Sequence, residues 1–266
     1  MTKSLKLAVF TDLDGTLLDH RTYSWDAAKP ALDRLVRLRC SVVLASSKTA
    51  AEVVVLQDRL ALSGQPALVE NGAGLISLDG GQGTGTYAAL RRTLDLLPAH
   101  LRAQFTGFGD MTAKDVSSLT GLSTEAAALA KTRDFSEPGL WTGDGQELET
   151  FAKILAQHGV FAQRGGRFLT LSFGRTKADA MAEVTRTLKP DVTLALGDAP
   201  NDVAMLEQAD FGVIVANPHH APLPQLRGET EGRIIRTQEP GPLGWNIAVN
   251  AFLDTLFPEQ GHMSHG

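Results

Sequence analysis

The sequence predicts an α/β protein whose parallel-sheet core is interrupted by an inserted α+β segment. Two observations predict it. Short unbroken apolar runs alternate with helical patterns at both ends of the chain, as expected of strands buried on both faces and joined by crossover helices. That rhythm breaks from Tyr87 to Phe173 and resumes at Thr176.

The elements follow in order. Leu7-Ala8-Val9-Phe10 is the first strand, and Asp12-Leu13-Asp14-Gly15 follows it directly. Two carboxylates at i and i+2 share one side of an extended chain, and Gly15 lets the chain turn away. Ala31, Leu32, Leu35, Val36 and Leu38 are spaced for one buried helix face. Ser41–Ala45 is a second strand, ending at Ser46-Ser47-Lys48-Thr49, and a helix runs from Ala50 to about Leu62. Ala67–Val69 is a third strand, ending at Glu70-Asn71-Gly72.

Gly80–Gly85 reads as a linker, with the wrong spacing for a dinucleotide-binding loop. Helices are predicted near Ala88–Leu101, Ala113–Ser118, Thr124–Thr132 and Glu147–Gln157, and strands near Thr132–Phe135, Val160–Gln163 and Phe168–Phe173. Arg164-Gly165-Gly166-Arg167 reads as a hairpin turn with a Gly-Gly centre. Val160, Ala162, Leu169 and Leu171 then share an apolar face that packs on helices. Phe161, Gln163, Phe168, Thr170 and Ser172 share a mixed face left free. After the insertion come a helix from Thr176 to about Leu188, strands at Val192–Leu196 and Phe211–Val215, a short edge strand at Arg233–Ile235, and a last helix after Gly241–Trp245.

At 266 residues the chain is long for one core, which favours two domains or one with an insertion. The single cysteine, Cys40, excludes an internal disulfide and suits a reducing, cytoplasmic compartment. A formal charge of −5 without a Lys/Arg run argues against nucleic acid or anionic membrane as partner. No apolar stretch is long enough to span a bilayer, and the N-terminus lacks a signal-peptide pattern. The polar tail from Gly261, with His262 and His265, is set aside from the fold.

Four element ends carry complementary polar groups. Asp12 and Asp14 offer hard oxygen ligands and a nucleophile. Ser46 and Ser47 lie before a helix, where backbone N–H groups favour an anion, although Ser46 could equally cap that helix. Lys177 sits in the first turn of the helix after the insertion, against the helix dipole, which suits an anionic ligand better than the helix. Asp198 and Asp202 flank Asn201 after a later strand. Together these are the groups that magnesium and a phosphate monoester require.

In order, Asp12-Leu13-Asp14-Gly15-Thr16, Ser46, Lys177 and Gly197-Asp198-Ala199-Pro200-Asn201-Asp202 resemble the four motifs of the haloacid dehalogenase-like phosphohydrolases. Ser46-Ser47-Lys48-Thr49, Glu70-Asn71-Gly72-Ala73, Arg133-Asp134-Phe135-Ser136-Glu137-Pro138, Gly165-Gly166-Arg167-Phe168 and Gly241-Pro242-Leu243-Gly244-Trp245 resemble the mannosyl-3-phosphoglycerate phosphatase branch. Many relatives carry Thr-Gly-Arg where this chain has Ser46-Ser47-Lys48, a departure that fits that branch.

The resemblance implies a Rossmann-like core at 1–83 and 173–266 with an inserted αβ cap at 84–172 that selects the substrate. It implies a magnesium-dependent phosphatase acting on a small phosphorylated glycoside. Asp12 would be the nucleophile and Asp14 the acid and base. Ser46, Ser47, Lys177 and Asn201 would hold phosphate. Asp12, Asp14 through its carbonyl, and Asp198 would hold Mg2+, with Asp202 completing the metal site by orienting a metal-bound water or Lys177. A glycerate carboxylate calls for a positive partner, and Lys48 and Arg167 are the candidates, with Arg133 behind them and Gln163 on the same cap face. A glucosyl substrate, another sugar phosphate, a phosphomutase on the same scaffold and a silent ligand-binding protein are the competing expectations.

Overall fold

The computed structural model describes residues 5–77, 85–219 and 221–258. The chain begins with β1 (Leu7–Thr11), α1 (Lys29–Arg37), β2 (Ser41–Ala45), α2 (Ala50–Arg59), β3 (Ala67–Val69) and β4 (Gly74–Ile76). Next come α3 (Thr86–Asp95), α4 (Ala99–Arg102), β5 (Phe105–Gly107), α5 (Ala113–Thr120), α6 (Thr124–Lys131), β6 (Ser136–Trp141), α7 (Gly145–Gln157), β7 (Phe161–Gly165) and β8 (Phe168–Ser172). The chain closes with α8 (Lys177–Leu188), β9 (Val192–Gly197), α9 (Val203–Gln208), β10 (Phe211–Ala216), α10 (Arg227–Thr230), β11 (Ile234–Pro240) and α11 (Leu243–Leu256). The predicted Gly80–Gly85 linker, apart from Gly85, and the polar tail lie outside the described residues. Two compact units form, Met1–Val43 with Thr185–Gly266, and Leu44–Val184.

In the first unit β9 pairs in parallel with β1, from Leu7↔Val192 to Thr11↔Leu196, and with β10 on its other side. Every residue of β1 is buried, which is why its sequence is an unbroken apolar run. β11 pairs in parallel with β10 and forms the edge. It extends to seven residues, well past the short strand expected at Arg233–Ile235. After Ile234-Ile235 it continues through Arg236, Thr237, Gln238 and Glu239, so no apolar run announces its full length. Helix α11 buries Trp245 completely, and the indole Nε1 donates to Thr11 Oγ1 at 2.9 Å. Cys40 is buried just before β2, and burial pushes its thiol up to about 11, as suits a core filler.

β2 begins in the first unit and ends in the second. There β3 pairs with it in parallel, and β4 returns antiparallel at the sheet edge. β4 begins with glycine and is only partly buried, so no buried apolar run announces it as Ala67–Val69 does for β3. Helix α2 starts at Ala50 behind a capping box. Thr49 accepts from Glu52 N–H, and Glu52 accepts from Thr49 N–H. Thr49 is therefore the cap, and not Ser46.

The rest of the second unit holds a four-stranded antiparallel sheet, ordered β5-β6-β8-β7. The strand expected at Thr132–Phe135 lies instead at Ser136–Trp141, which Pro138 and Gly139 had disguised. The single helix expected over Ala88–Leu101 is broken into α3 and α4, with Pro98 capping the second. The hairpin turn is Gly166-Arg167, since Gly165 pairs with Phe168. It is one residue later than the Gly-Gly centre, and Gly166 takes the left-handed φ of 56°. The faces survive this shift. Val160, Leu169 and Leu171 pack with Leu90, Leu94, Phe151 and Leu155 from α3 and α7. The mixed face is divided: Phe168 packs on a second cluster of Phe108, Met111, Val116 and Ala127, while Phe161 and Gln163 stay exposed. Burying the Phe168 ring is favourable, and residues of α5 and α6 supply part of its cover.

Candidate active site

In the first unit β1 ends at Thr11, so Asp12 and Asp14 occupy a loop and not a strand. The alternation rule therefore does not place Asp14. The loop is closed instead by hydrogen bonds from Gly15 N–H to Leu18 O, and from Thr16 and Leu18 N–H to Leu13 O. Asp12 is 8% exposed, anchored by its own N–H to Leu196 O, while Asp14 is half-buried. Carboxylate oxygens of Asp12, Asp198 and Asp202 all lie within 4.8 Å of one another.

Each of the later two carboxylates has its orientation fixed. Asp198 Oδ1 accepts from Thr16 Oγ1 at 2.6 Å, and Oδ2 from Asn217 Nδ2 at 2.7 Å. Asp202 Oδ2 accepts the N–H groups of Asp198 and Ala199, which turns the loop after β9 back on itself. Asn201 lies half-buried in the same turn. Gly15 is needed here on two counts: its φ is 89°, and a Cβ would stand 2.3 Å from Asn217 Nδ2. Asn217 was not singled out from the sequence. It follows β10 within Val215-Ala216-Asn217, and only the fold brings it to Asp198.

The donor set of this cluster is oxygen only, from three acids, two of them held rigid by hydrogen bonds. Hard divalent cations such as magnesium take such ligands, and three gathered carboxylates repel without one. The residues present fit that ion.

In the second unit Ser46 is buried at the end of β2, Ser47 is exposed, and Lys48 is half-buried. Ser46 Oγ accepts from Lys48 N–H at 3.2 Å. The capping box at Thr49 occupies the start of α2, so the anion site expected of a bare helix end is not what distinguishes this loop. Lys177 opens α8 and is 1% exposed. Thr176 and Asp179 cap that helix reciprocally, and the Asp179 carboxylate offsets a cation placed against the dipole.

The residues expected to contact substrate separate. Arg133 is 9% exposed, with Nε on Glu70 Oε2 at 3.2 Å and Nη2 on Ser47 O and Ser136 Oγ. Its guanidinium is hydrogen-bonded inside the protein, behind the Ser46–Lys48 loop. Arg167 is exposed at the hairpin tip. There Nη1 donates to Leu119 O, and the guanidinium lies 5.7 Å from the centre of the Phe168 ring. Gln163 is exposed on β7, opposite Thr170. Beside this group the Asp134 carboxyl is raised above the usual carboxylate range, first by burial and then by the Glu70 charge. Glu70 itself had been read only as part of a motif.

Several solved structures share this fold. A phosphatase of the haloalkanoate superfamily from Bacteroides thetaiotaomicron is 17% identical, with 94% of this chain and 96% of that one covered and a TM-score of 0.68. The sucrose-phosphatase of Synechocystis sp. PCC6803 is 17% identical over 94% of this chain and 98% of that one, with a TM-score of 0.62. A haloacid dehalogenase-like hydrolase from Bacteroides thetaiotaomicron is 20% identical over 93% and 99%, with a TM-score of 0.63. The family model for haloacid dehalogenase-like hydrolases matches residues 6–210, a span that takes in all four motifs. The chain belongs to the haloacid dehalogenase-like hydrolases.

Proposed function

We propose that the chain is a magnesium-dependent phosphatase that converts mannosyl-3-phosphoglycerate to mannosylglycerate and phosphate. The observation that carries the reading is the cluster of Asp12, Asp198 and Asp202. A carboxylate that follows the central strand, set among other acids, suits a nucleophile whose charge must be balanced while it attacks a phosphate. Magnesium would be held by Asp12, the Asp14 carbonyl and Asp198, with Asp202 orienting the set, and when bound it supplies charge neutralisation at the phosphate oxygens.

The chain's own groups then divide the work. The Asp12 carboxylate attacks phosphorus and the bond to the glycerate oxygen breaks, leaving an aspartyl-phosphate. Asp14 gives its proton to the departing oxygen, then takes one from the water that hydrolyses the intermediate. Ser46, Ser47, Asn201 and Lys177 bind the remaining phosphate oxygens. Residues 1–83 and 173–266 serve as the catalytic core, and 84–172 as the cap that selects the substrate. Lys48 is the first candidate for the glycerate carboxylate and Arg167 the second, with Gln163 toward the rest of the glycoside.

The sucrose-phosphatase among the structural relatives supports a phosphorylated glycoside as the substrate class. A glucosyl-3-phosphoglycerate differs only in sugar identity and is the second reading. The deciding experiment is phosphate release from a panel of phosphorylated sugars and glycosyl-phosphoglycerates, with and without magnesium. Release highest from mannosyl-3-phosphoglycerate upholds the proposal. Transfer of phosphate within a sugar without release makes the chain a mutase, and no reaction on any ester sinks both.

A further inference from the structure

The Ser46–Lys48 loop is held from behind at three successive carbonyls. Ser46 O accepts from Asn71 N–H at 2.8 Å, Ser47 O from Arg133 Nη2 at 3.0 Å, and Lys48 O from Glu70 N–H at 2.9 Å. The turn that supplies two of these donors has an uncommon backbone. Glu70, Asn71 and Gly72 take φ of 51°, 62° and 83° in succession. A non-glycine residue in that region persists only where its surroundings over-determine it.

The over-determination comes from the Glu70 side chain, which is 2% exposed. Its carboxylate accepts from five donors: the N–H groups of Asp134, Phe135 and Ser136, Ser136 Oγ and Arg133 Nε. Arg133 closes the circuit, since one guanidinium reaches both Glu70 and the Ser47 carbonyl. On its far side the same turn meets α8. A Cβ at Gly72 would stand 2.3 Å from Thr176 O and 2.5 Å from Lys177 N. One left-handed turn thus touches the backbone of both the Ser46–Lys48 loop and Lys177.

We infer that Glu70 and Arg133 are positioning residues that fix the Ser46–Lys48 loop and the backbone of Lys177 relative to each other. Their effect on phosphate binding rests on the phosphatase reading; their hold on the loop does not. They act through the loop carbonyls, and neither touches the substrate. The three N–H groups bound to Glu70 lead directly into β6, so the antiparallel sheet is tied to the same turn.

The test is hydrogen–deuterium exchange of the peptide covering Ser46–Thr49, read with the inhibition constant for inorganic phosphate. Arg133→Lys keeps the charge but cannot span Glu70 and Ser47 together. Its Ser46–Thr49 amides should exchange about tenfold faster, while amides of β9 and β10 stay unchanged. Phosphate inhibition should weaken by about tenfold with little change in the magnesium requirement. Exchange equal to that of the unaltered chain overturns the inference. Should Arg133→Lys fail to fold, Ser136→Ala removes the hydroxyl between Arg133 and Glu70 and is read the same way.

A third measurement needs no variant. Inorganic phosphate added to the unaltered chain should slow exchange at Ser46–Thr49, Glu70–Gly72 and Arg133–Ser136 together. Protection confined to Ser46–Thr49 overturns the inference. If phosphate protects nothing and no ester is hydrolysed, the phosphatase reading falls, and Arg133→Lys still decides the positioning.

Discussion

Thr16 Oγ1 donates to Asp198 Oδ1 at 2.6 Å, joining the loop after β1 to the loop after β9 across 182 positions of the chain. With Asn217 on the other oxygen, Asp198 has one orientation available. Outer partners of this kind typically contribute about 10–100-fold to metal affinity. Thr16→Val and Asn217→Ala should each raise the magnesium concentration for half-maximal activity by about tenfold. Calorimetric titration with magnesium should show the same weakening. Unchanged affinity in both variants would mean that Asp198 is held by something else.

Asp12→Asn is nearly isosteric and should fold, with a melting temperature close to that of the unaltered chain. It should lose turnover, because an amide cannot form the covalent intermediate. Phosphate release within about tenfold of the unaltered chain would remove Asp12 as nucleophile.

Metal removal gives an independent readout. Activity should vanish in excess chelator and return with magnesium, and Asp198→Ala should raise the requirement sharply. Full activity in chelator would contradict the proposed charge balance.

Specificity separates Lys48 from Arg167. A charge-assisted contact to the glycerate carboxylate is worth about 1.5–3 kcal/mol. Lys48→Ala should therefore lower kcat/KM for mannosyl-3-phosphoglycerate by about ten- to a hundredfold, with a much smaller loss on an aryl phosphate. Arg167 already serves the Leu119 carbonyl and the Phe168 ring. Arg167→Ala should lower both substrates by a similar small factor. A loss confined to the glycerate ester in Arg167→Ala would transfer the role to Arg167.

Alkaline stability reports on Tyr87, whose hydroxyl donates to the fully buried Glu137 at 2.5 Å. Burial, then the hydrogen bond to Glu137 and its charge, raise the Tyr87 pKa. Above the unfolded tyrosine value of about 10, the unfolded chain loses a proton that the folded one keeps. The stabilisation is therefore complete below that pH and is lost as pH rises through the higher folded value. In urea unfolding the advantage over Tyr87→Phe should shrink above pH 10 by up to about 1.4 kcal/mol per pH unit. A constant difference from pH 8 to pH 11 would place the phenol outside this network.

Features carried by local pattern were legible. The unbroken run before Asp12 gave β1, and the spacing of Leu169 and Leu171 gave the buried face of β8. Features decided by distant partners were not. Asn217 and Asp198 are 19 positions apart, on loops that only sheet order brings together. The pairing of Arg133 with Glu70 was not legible, because a buried arginine is uncommon and its partner lies 63 residues earlier. β6 was hidden because Pro138 and Gly139 suppress strand propensity locally, while its pairing with β5 and β8 overrides that.

The hairpin of β7 and β8 has a consequence for how this chain can vary. Moving the turn from Gly165-Gly166 to Gly166-Arg167 advances one strand and retards the other by a residue, so each side chain keeps its face. Sliding either strand alone by one residue would instead bring Leu169 and Leu171 level with Phe161 and Gln163. Mutational drift of the turn is thus neutral for the leucine layer, whereas slippage of one strand inverts it. The glycine pair at the tip gives inheritance a place to alter the outer end of this segment without rewriting its interior.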